Sequence, residues 1–237
     1  EAVEAALKLA RRFGGSERSE VVAIVDGFHG RTYGALSLTG QPGKQEAFKP
    51  MVPGVRHVDR NDFEALDEAI GERTCAVILE TIQGECGVYP LEPEFIARAR
   101  ELTSARGALL IFGEIQTGLS RTGPLYSYQD LGVTPDVMTL AKSLGGGVPI
   151  GAVVASPRYQ DTFRPGDHGS PFAGGALACA AALATCHVLE DPALQANVRR
   201  CGDRLRAGLR QLVDEGYAVD VRGRGLMVAI DLIGDGS

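Results

Sequence analysis

Lys142 is the residue of this sequence best placed to form a covalent bond with a ligand through its amine. It follows the apolar run 137–140 and precedes three consecutive glycines at 145–147. Backbone without side chains lets a planar ligand approach closely, and a desolvated lysine amine is neutral and can form a Schiff base with a carbonyl. Position alone leaves a second interpretation open, in which Lys142 is a solvated loop residue.

Three further charged residues follow apolar runs of strand length. Arg31 ends the Gly-rich loop 27–31, and its planar guanidinium suits a substrate carboxylate, although a surface salt bridge is the alternative. Glu80 and Glu85 flank Gln83-Gly84 just after the run 76–79. That place in the chain is equally typical of a site and of a surface loop.

A fourth polar cluster follows Phe112. If the strand continues past this residue, side-chain alternation puts Glu114 and Gln116 on one face and Gly113 and Ile115 on the other. We therefore expect Glu114 to point away from anything that Gly113 faces.

The elements that carry these residues alternate between strands and helices. We predict strands at 21–25, 55–58, 76–79, 108–112, 137–140, 150–155, 219–221 and 226–232, and helices at 1–13, 61–70, 93–106, 174–189 and 193–214. This alternation is typical of an α/β protein with a parallel sheet, in which ligands bind beyond the carboxyl ends of the strands. The polar clusters at 26–31, 80–87 and 114–123 all follow predicted strands.

Composition narrows the class of protein. A net charge of -6 without a basic stripe argues against nucleic acid, and no apolar run approaches the roughly 18 residues of a membrane span. The five cysteines and four histidines lack metal-ligand spacing, so no metal site is predicted. An odd number of cysteines and no secretory signal at the start shown favour a reduced, cytoplasmic protein.

Five motifs resemble those of class III aminotransferases, in the order in which that family has them. They read FHGRT at 28–32, QGE at 83–85, EIQTG at 114–118, RTG at 121–123 and AKSLGGGVPIG at 141–151. The acetylornithine/succinylornithine/ornithine branch is the most similar. The resemblance implies a fold-type-I large domain that binds pyridoxal 5'-phosphate (PLP), with a mostly parallel sheet flanked by helices. It would occupy 1–188, and 189–237 would begin a small α+β C-terminal domain.

The same resemblance implies a role for each matched residue. Lys142 would hold PLP covalently and move the proton between the substrate Cα and the cofactor. Arg31 would bind a substrate carboxylate, and Glu85 would line the substrate pocket and steer the switch between amino donor and acceptor. The implied cofactor-binding residues are Phe28 and Ile115 on the two ring faces, Gln116 at the phenolic oxygen, and His29, Glu80, Lys142 and Ser170.

The chain departs from the family pattern in four places. Gly113 stands where the family has the aspartate that pairs with the pyridine nitrogen, and Pro171 where it has a threonine that reaches the neighbouring subunit's phosphate. Glu1-Ala2 matches the end of the family's phosphate-binding turn, and Ser237 falls inside the expected C-terminal domain. We therefore expect a fragment that lacks this turn and the C-terminal arginine for the α-carboxylate.

The function that the resemblance implies is transfer of an amino group from acetylornithine, or a similar ω-amino or diamino acid, to 2-oxoglutarate by a homodimer with shared sites. An aminomutase of the same class and a non-catalytic paralogue are the alternatives. A further possibility is that Gly113 and the truncations are artefacts, so that the natural protein is active.

Overall fold

The computed structural model describes residues 1–234 and contains ten strands and seven α-helices in that range. The strands are β1 (Glu20–Ile24), β2 (Val55–Val58), β3 (Thr74–Leu79), β4 (Ile82–Gln83), β5 (Tyr89–Pro90), β6 (Leu109–Gly113), β7 (Val137–Leu140), β8 (Ala152–Ala155), β9 (Ala218–Arg224) and β10 (Met227–Leu232). The helices are α1 (Ala2–Gly14), α2 (Tyr33–Leu38), α3 (Pro42–Gln45), α4 (Phe63–Ala69), α5 (Pro93–Arg106), α6 (Ala176–Leu189) and α7 (Pro192–Asp214).

Six strands form the central sheet, in the order β2-β1-β3-β6-β7-β8. All neighbouring pairs are parallel except β7 and β8, which are antiparallel. Every residue of β3, β6 and β7 is buried, as expected for strands covered on both faces. The predicted α/β class with a mostly parallel sheet flanked by helices is confirmed.

Two hydrophobic cores lie on the two faces of this sheet. On one face α1 and α2 cover the strands with side chains such as Leu7 and Leu38. On the other, α4 and α5 contribute Leu66, Phe95 and Ile96, all completely buried. Each such side chain stabilises the fold by roughly 1.5–3 kcal/mol through burial. The two layers fix the sheet, and with it the carboxyl ends of the strands.

Local side chains set where the elements begin and end. The Asp62 carboxylate accepts a hydrogen bond from Ala65 N at 2.9 Å, so α4 begins at Phe63, slightly later than predicted. Asp136 fixes the start of β7, because its carboxylate accepts bonds from Leu110 N at 2.8 Å and Arg100 at 2.9 Å. Its role is therefore structural.

The segment from 191 onward adds α7 and the antiparallel β9–β10 hairpin, which does not join the central sheet. Arg222 connects this hairpin to the loop between β4 and β5, donating to Gly87 O at 2.7 Å and lying 4.0 Å from the centre of the Tyr89 ring. The division of the chain into 1–188 and 189–237 stays a prediction.

Two short helices, α2 and α3, and the small β4–β5 pair were not predicted from sequence. Over residues 1–234, no single helix is both long and apolar enough to cross a membrane, and α6 and α7 meet that test only as a pair bent by 70°.

Candidate active site

A cavity of about 100 Å³ lies beyond the carboxyl ends of β1, β3, β6 and β7, the edge at which a ligand site was predicted. Its lining residues are Val3, Phe28, His29, Gly30, Glu80, Gly113, Ile115, Gln116, Thr139 and Lys142. The cavity therefore brings together residues from three sequence motifs. A larger depression near Arg11 and Glu20 lies at the opposite end of β1 and contains none of the predicted site residues.

Glu80 is the one acidic side chain among these lining residues, and it is only 6% exposed. Burial raises its pKa to about 7, because the charged form loses its water. Backbone N–H groups of Phe28 and Gly84 and the charge of Lys142 oppose this shift. The bond from Phe28 N to Glu80 Oε1 measures 2.8 Å, so Glu80 also fixes the backbone that carries the Phe28 ring.

His29 is buried, and its backbone N–H donates to Thr39 Oγ1 at 3.0 Å. Burial, and then the charge of His57, lower its pKa to about 3, so the imidazole is neutral at physiological pH. Within residues 1–234, neither His29 Nε2 nor Thr139 Oγ1 has a hydrogen-bond partner. Leaving a buried polar atom unpaired costs about 1–3 kcal/mol, and both residues line the cavity.

The predicted alternation of side chains after Phe112 is wrong. Strand β6 ends at Gly113, and a turn follows in which Gly118 N donates to Glu114 O at 3.1 Å. Because the chain turns here, Gly113, Ile115 and Gln116 all line the cavity instead of lying on opposite faces.

Glu114 points away from the cavity, as expected, but for a different reason. Its buried carboxylate accepts hydrogen bonds from Thr117 Oγ1 at 2.7 Å, Ser127 Oγ at 2.7 Å and Tyr128 N at 3.1 Å. It therefore holds the turn to the following segment and is not free to contact a ligand.

Two glycines shape the cavity. A Cβ atom on Gly84 would overlap Gln116 Oε1, so only glycine lets the Gln116 amide occupy its position. A Cβ atom on Gly113 would lie 3.4 Å from Glu80 Cγ and 4.0 Å from His29 Nδ1, which are ordinary contacts. The backbone therefore leaves room for a Cβ atom at position 113.

Lys142 begins a short 3-10 helix, Lys142–Gly145, with a left-handed φ of 49°. This conformation is strained for a residue with a side chain, and such strain clusters at functional sites. Lys142 lines the cavity but is exposed. A Schiff base was expected to need a desolvated amine, and the described residues of a single copy do not desolvate the Lys142 amine.

Arg31 and Glu85 lie at the rim of the cavity and do not line it. The Arg31 guanidinium carbon is 5.6 Å from the centre of the Phe28 ring, and Glu85 pairs with Lys44 at 2.7 Å. Sequence reasoning missed Lys44, because it sits in the short helix α3 with no motif around it. Its proximity to Glu85 arises only from the fold.

The structure does not bring Ser170 to the cavity. Ser170 and Pro171 are exposed in the segment that precedes α6, and neither is among the lining residues. The contact of Ser170 with a cofactor therefore stays a prediction. Within residues 1–234, no three His, Cys, Asp or Glu side chains are grouped so as to hold a metal ion.

The cavity residues fit a planar polar ring such as that of PLP. An aromatic side chain, an aliphatic side chain and an amide line it together with Lys142. The unpaired Thr139 Oγ1 adds a site for a hydrogen bond. The one disagreement is Gly113, which offers no carboxylate to a ring nitrogen, the usual partner in PLP sites.

Comparison with known proteins gives the same family along the whole chain. The chain is 48% identical to an acetylornithine aminotransferase of Gloeobacter violaceus, covering 98% of this chain and 59% of that protein. It is 49% identical to an acetylornithine aminotransferase of Streptomyces coelicolor, covering 98% and 57%. An ornithine aminotransferase from Toxoplasma gondii, with partial occupancy of PLP at its active site, superimposes with a TM-score of 0.93 and 37% identity over 99% of this chain and 58% of that one.

The chain thus spans about three fifths of the length of the relatives that it matches. The family model for "Aminotransferase class-III" matches residues 1–237. On this match, and with Phe28, Gln116 and Lys142 lining one cavity, the chain belongs to the class III aminotransferases.

Proposed function

We propose that this chain forms the catalytic core of a PLP-dependent aminotransferase that moves an amino group from acetylornithine, or a similar ω-amino or diamino acid, to 2-oxoglutarate. The observation that carries the proposal is the cavity that gathers Lys142, Phe28 and Gln116 at the carboxyl edge of the sheet. The names of the relatives support the amino donor.

Different lining residues would bind the cofactor and transfer the proton. Lys142 would attach the cofactor and then carry a proton between two carbons, which needs one amine within reach of both. Phe28 and Ile115 would pack on the ring, Gln116 would bond its phenolic oxygen, and His29 would be a further cofactor-binding residue. When bound, PLP supplies the carbonyl that accepts the amino group and a ring that withdraws electrons from the reacting carbon.

Gly113 is the feature that bears on rate. Removing one partner of a buried ion pair typically costs about 3–5 kcal/mol, and such a loss at the rate-limiting step slows a reaction by roughly 10²–10⁴-fold. Because a Cβ atom at position 113 would meet only ordinary contacts, we expect Gly113→Asp to raise turnover by a factor in that range. The second candidate function is that of a protein with little or no catalytic activity. The lack of a carboxylate at Gly113 favours it.

We also propose a cytoplasmic homodimer with shared sites. Four large apolar side chains on and just before α6 are more than half exposed, which is typical of a surface that another chain covers: Phe172, Leu177, Leu183 and Val188. A second copy on this surface would also be in a position to bring Ser170 to the neighbouring cavity. The cysteines are all free, which suits a reducing compartment.

The test is formation of glutamate from N-acetylornithine and 2-oxoglutarate by the PLP-loaded protein, with Lys142→Ala as the inactive control. Glutamate formation that requires both Lys142 and 2-oxoglutarate supports the proposal. Isomerisation of the amine without 2-oxoglutarate would indicate an aminomutase. No turnover in either the native protein or the Gly113→Asp variant would favour the non-catalytic candidate.

A further inference from the structure

Lys44 occupies the rim of the cavity and is held there by three contacts. Its Nζ atom lies 2.7 Å from Glu85 Oε1, 2.5 Å from Gln41 Oε1 and 5.1 Å from the centre of the Phe28 ring. Only 24% of its side chain is exposed. The ammonium group is therefore fixed beside the ring that lines the cavity.

Arg31 places a second cation over the same ring, at 5.6 Å from its centre. Glu85 is the carboxylate that faces these two groups, and its pKa is lowered mainly by its hydrogen bond with Lys44 and further by the charges of Arg31 and Lys142. Two rim cations thus oppose one rim carboxylate. With Glu85 already paired, the rim presents a net positive charge to an incoming substrate.

This charge balance discriminates between two closely related substrates. N-acetylornithine and ornithine carry the same α-carboxylate and the same distal amine, but ornithine has an additional ammonium group at the α-nitrogen. That ammonium would face Lys44 and Arg31, and it could pair with Glu85 only by displacing Lys44. Like charges a few ångströms apart at a protein surface repel measurably, even with partial solvent screening.

We propose that Lys44 is a specificity-determining residue, which engages Glu85 and so makes the cavity favour a diamino acid with an acylated α-nitrogen over one with a free α-ammonium. This inference rests on the proposed function for its substrate class. It assigns the selection to a residue outside the motifs that carry the family resemblance.

The test compares dissociation constants of ornithine and N-acetylornithine for the full chain by ligand-observed NMR, without added PLP. The native protein should bind N-acetylornithine more tightly. Lys44→Gln frees Glu85 and removes one cation, so it should lower the ratio of the two constants by about three- to tenfold. Lys44→Arg keeps the charge and should keep most of the ratio.

Lys49→Gln is the matched control, because Lys49 pairs with Glu46 on the same short segment and is 54% exposed. It should leave the ratio unchanged. No preference in the native protein, no binding of either ligand, or an unchanged ratio in Lys44→Gln would each overturn the proposal. Attachment of PLP to Lys142 is measured separately, so failure of the proposed function is distinguishable from failure of this inference.

Discussion

Glu80→Gln should stabilise the protein at alkaline pH and leave its stability almost unchanged in acid. The native pKa of Glu80 is about 7, against an ordinary value of 4.5. A carboxyl whose pKa is raised by folding keeps its proton in the native state after the unfolded chain has lost it. Its contribution is therefore most favourable below pH 4.5 and is lost as the pH rises through 7. At about 1.4 kcal/mol for each unit between 4.5 and about 7, this contribution to the free energy of unfolding falls by about 3 kcal/mol in total.

Glutamine removes the titration, and its side-chain oxygen can still accept the hydrogen bond from Phe28 N. Urea unfolding of the native protein and the variant from pH 4.5 to pH 8 measures the effect. The variant should match the native protein near pH 4.5 and exceed it by about 3 kcal/mol at pH 8.

Titration of His29 changes the stability in the opposite direction, over a pH range that overlaps that of Glu80. Its pKa is lowered to about 3, so the stability that it contributes is present above pH 6.5 and lost as the pH falls. Both proteins share this contribution, and the difference between them isolates Glu80. Glu85→Gln is the control, because Lys44 lowers the pKa of that exposed carboxyl, and its loss should cost under about 1 kcal/mol. A difference for Glu80→Gln that does not change with pH would refute the reasoning.

Three further substitutions give separate tests. Glu114→Ala should lower the free energy of unfolding, measured in urea, by about 3–5 kcal/mol, because it leaves several buried donors without an acceptor. A loss under about 1 kcal/mol would contradict a stabilising role for these hydrogen bonds. Gly84→Ala should displace the Gln116 amide and weaken PLP binding, measured by absorbance titration, whereas Gly43→Ala, with nothing within 4 Å, should bind PLP like the native protein. Gly113→Asp should tighten PLP binding as well as raise turnover, and equal affinity would mean that the introduced carboxylate does not reach the cofactor.

The strands of the sheet could be predicted because their sequences are nearly continuous apolar runs. β7 was predicted with its observed bounds, and β3 and β6 within two residues at either end. Burial on both faces leaves no polar positions to obscure such a pattern. Helix α2 was missed because its six residues are too few to show a helical period.

The site was predictable where a motif marks it and not where only the fold brings residues together. Lys142 was found from the glycines that follow it, but Lys44 has no local signal. The turn after Gly113 was mistaken for strand, since a few residues cannot distinguish an alternating pattern from a turn that brings Ile115 and Gln116 to the same cavity. Thr139 was missed because it reads only as part of a buried strand.

The central claim is that Lys142 holds the cofactor, and the chain contains only four lysines: Lys8, Lys44, Lys49 and Lys142. The most direct measurement is borohydride reduction of the protein with PLP, followed by mass-spectrometric mapping of the modified peptide. We predict a single pyridoxyl group on Lys142, absent from Lys142→Ala. A folded protein that carries no label, or carries it equally on Lys8, Lys44 and Lys49, would contradict the account.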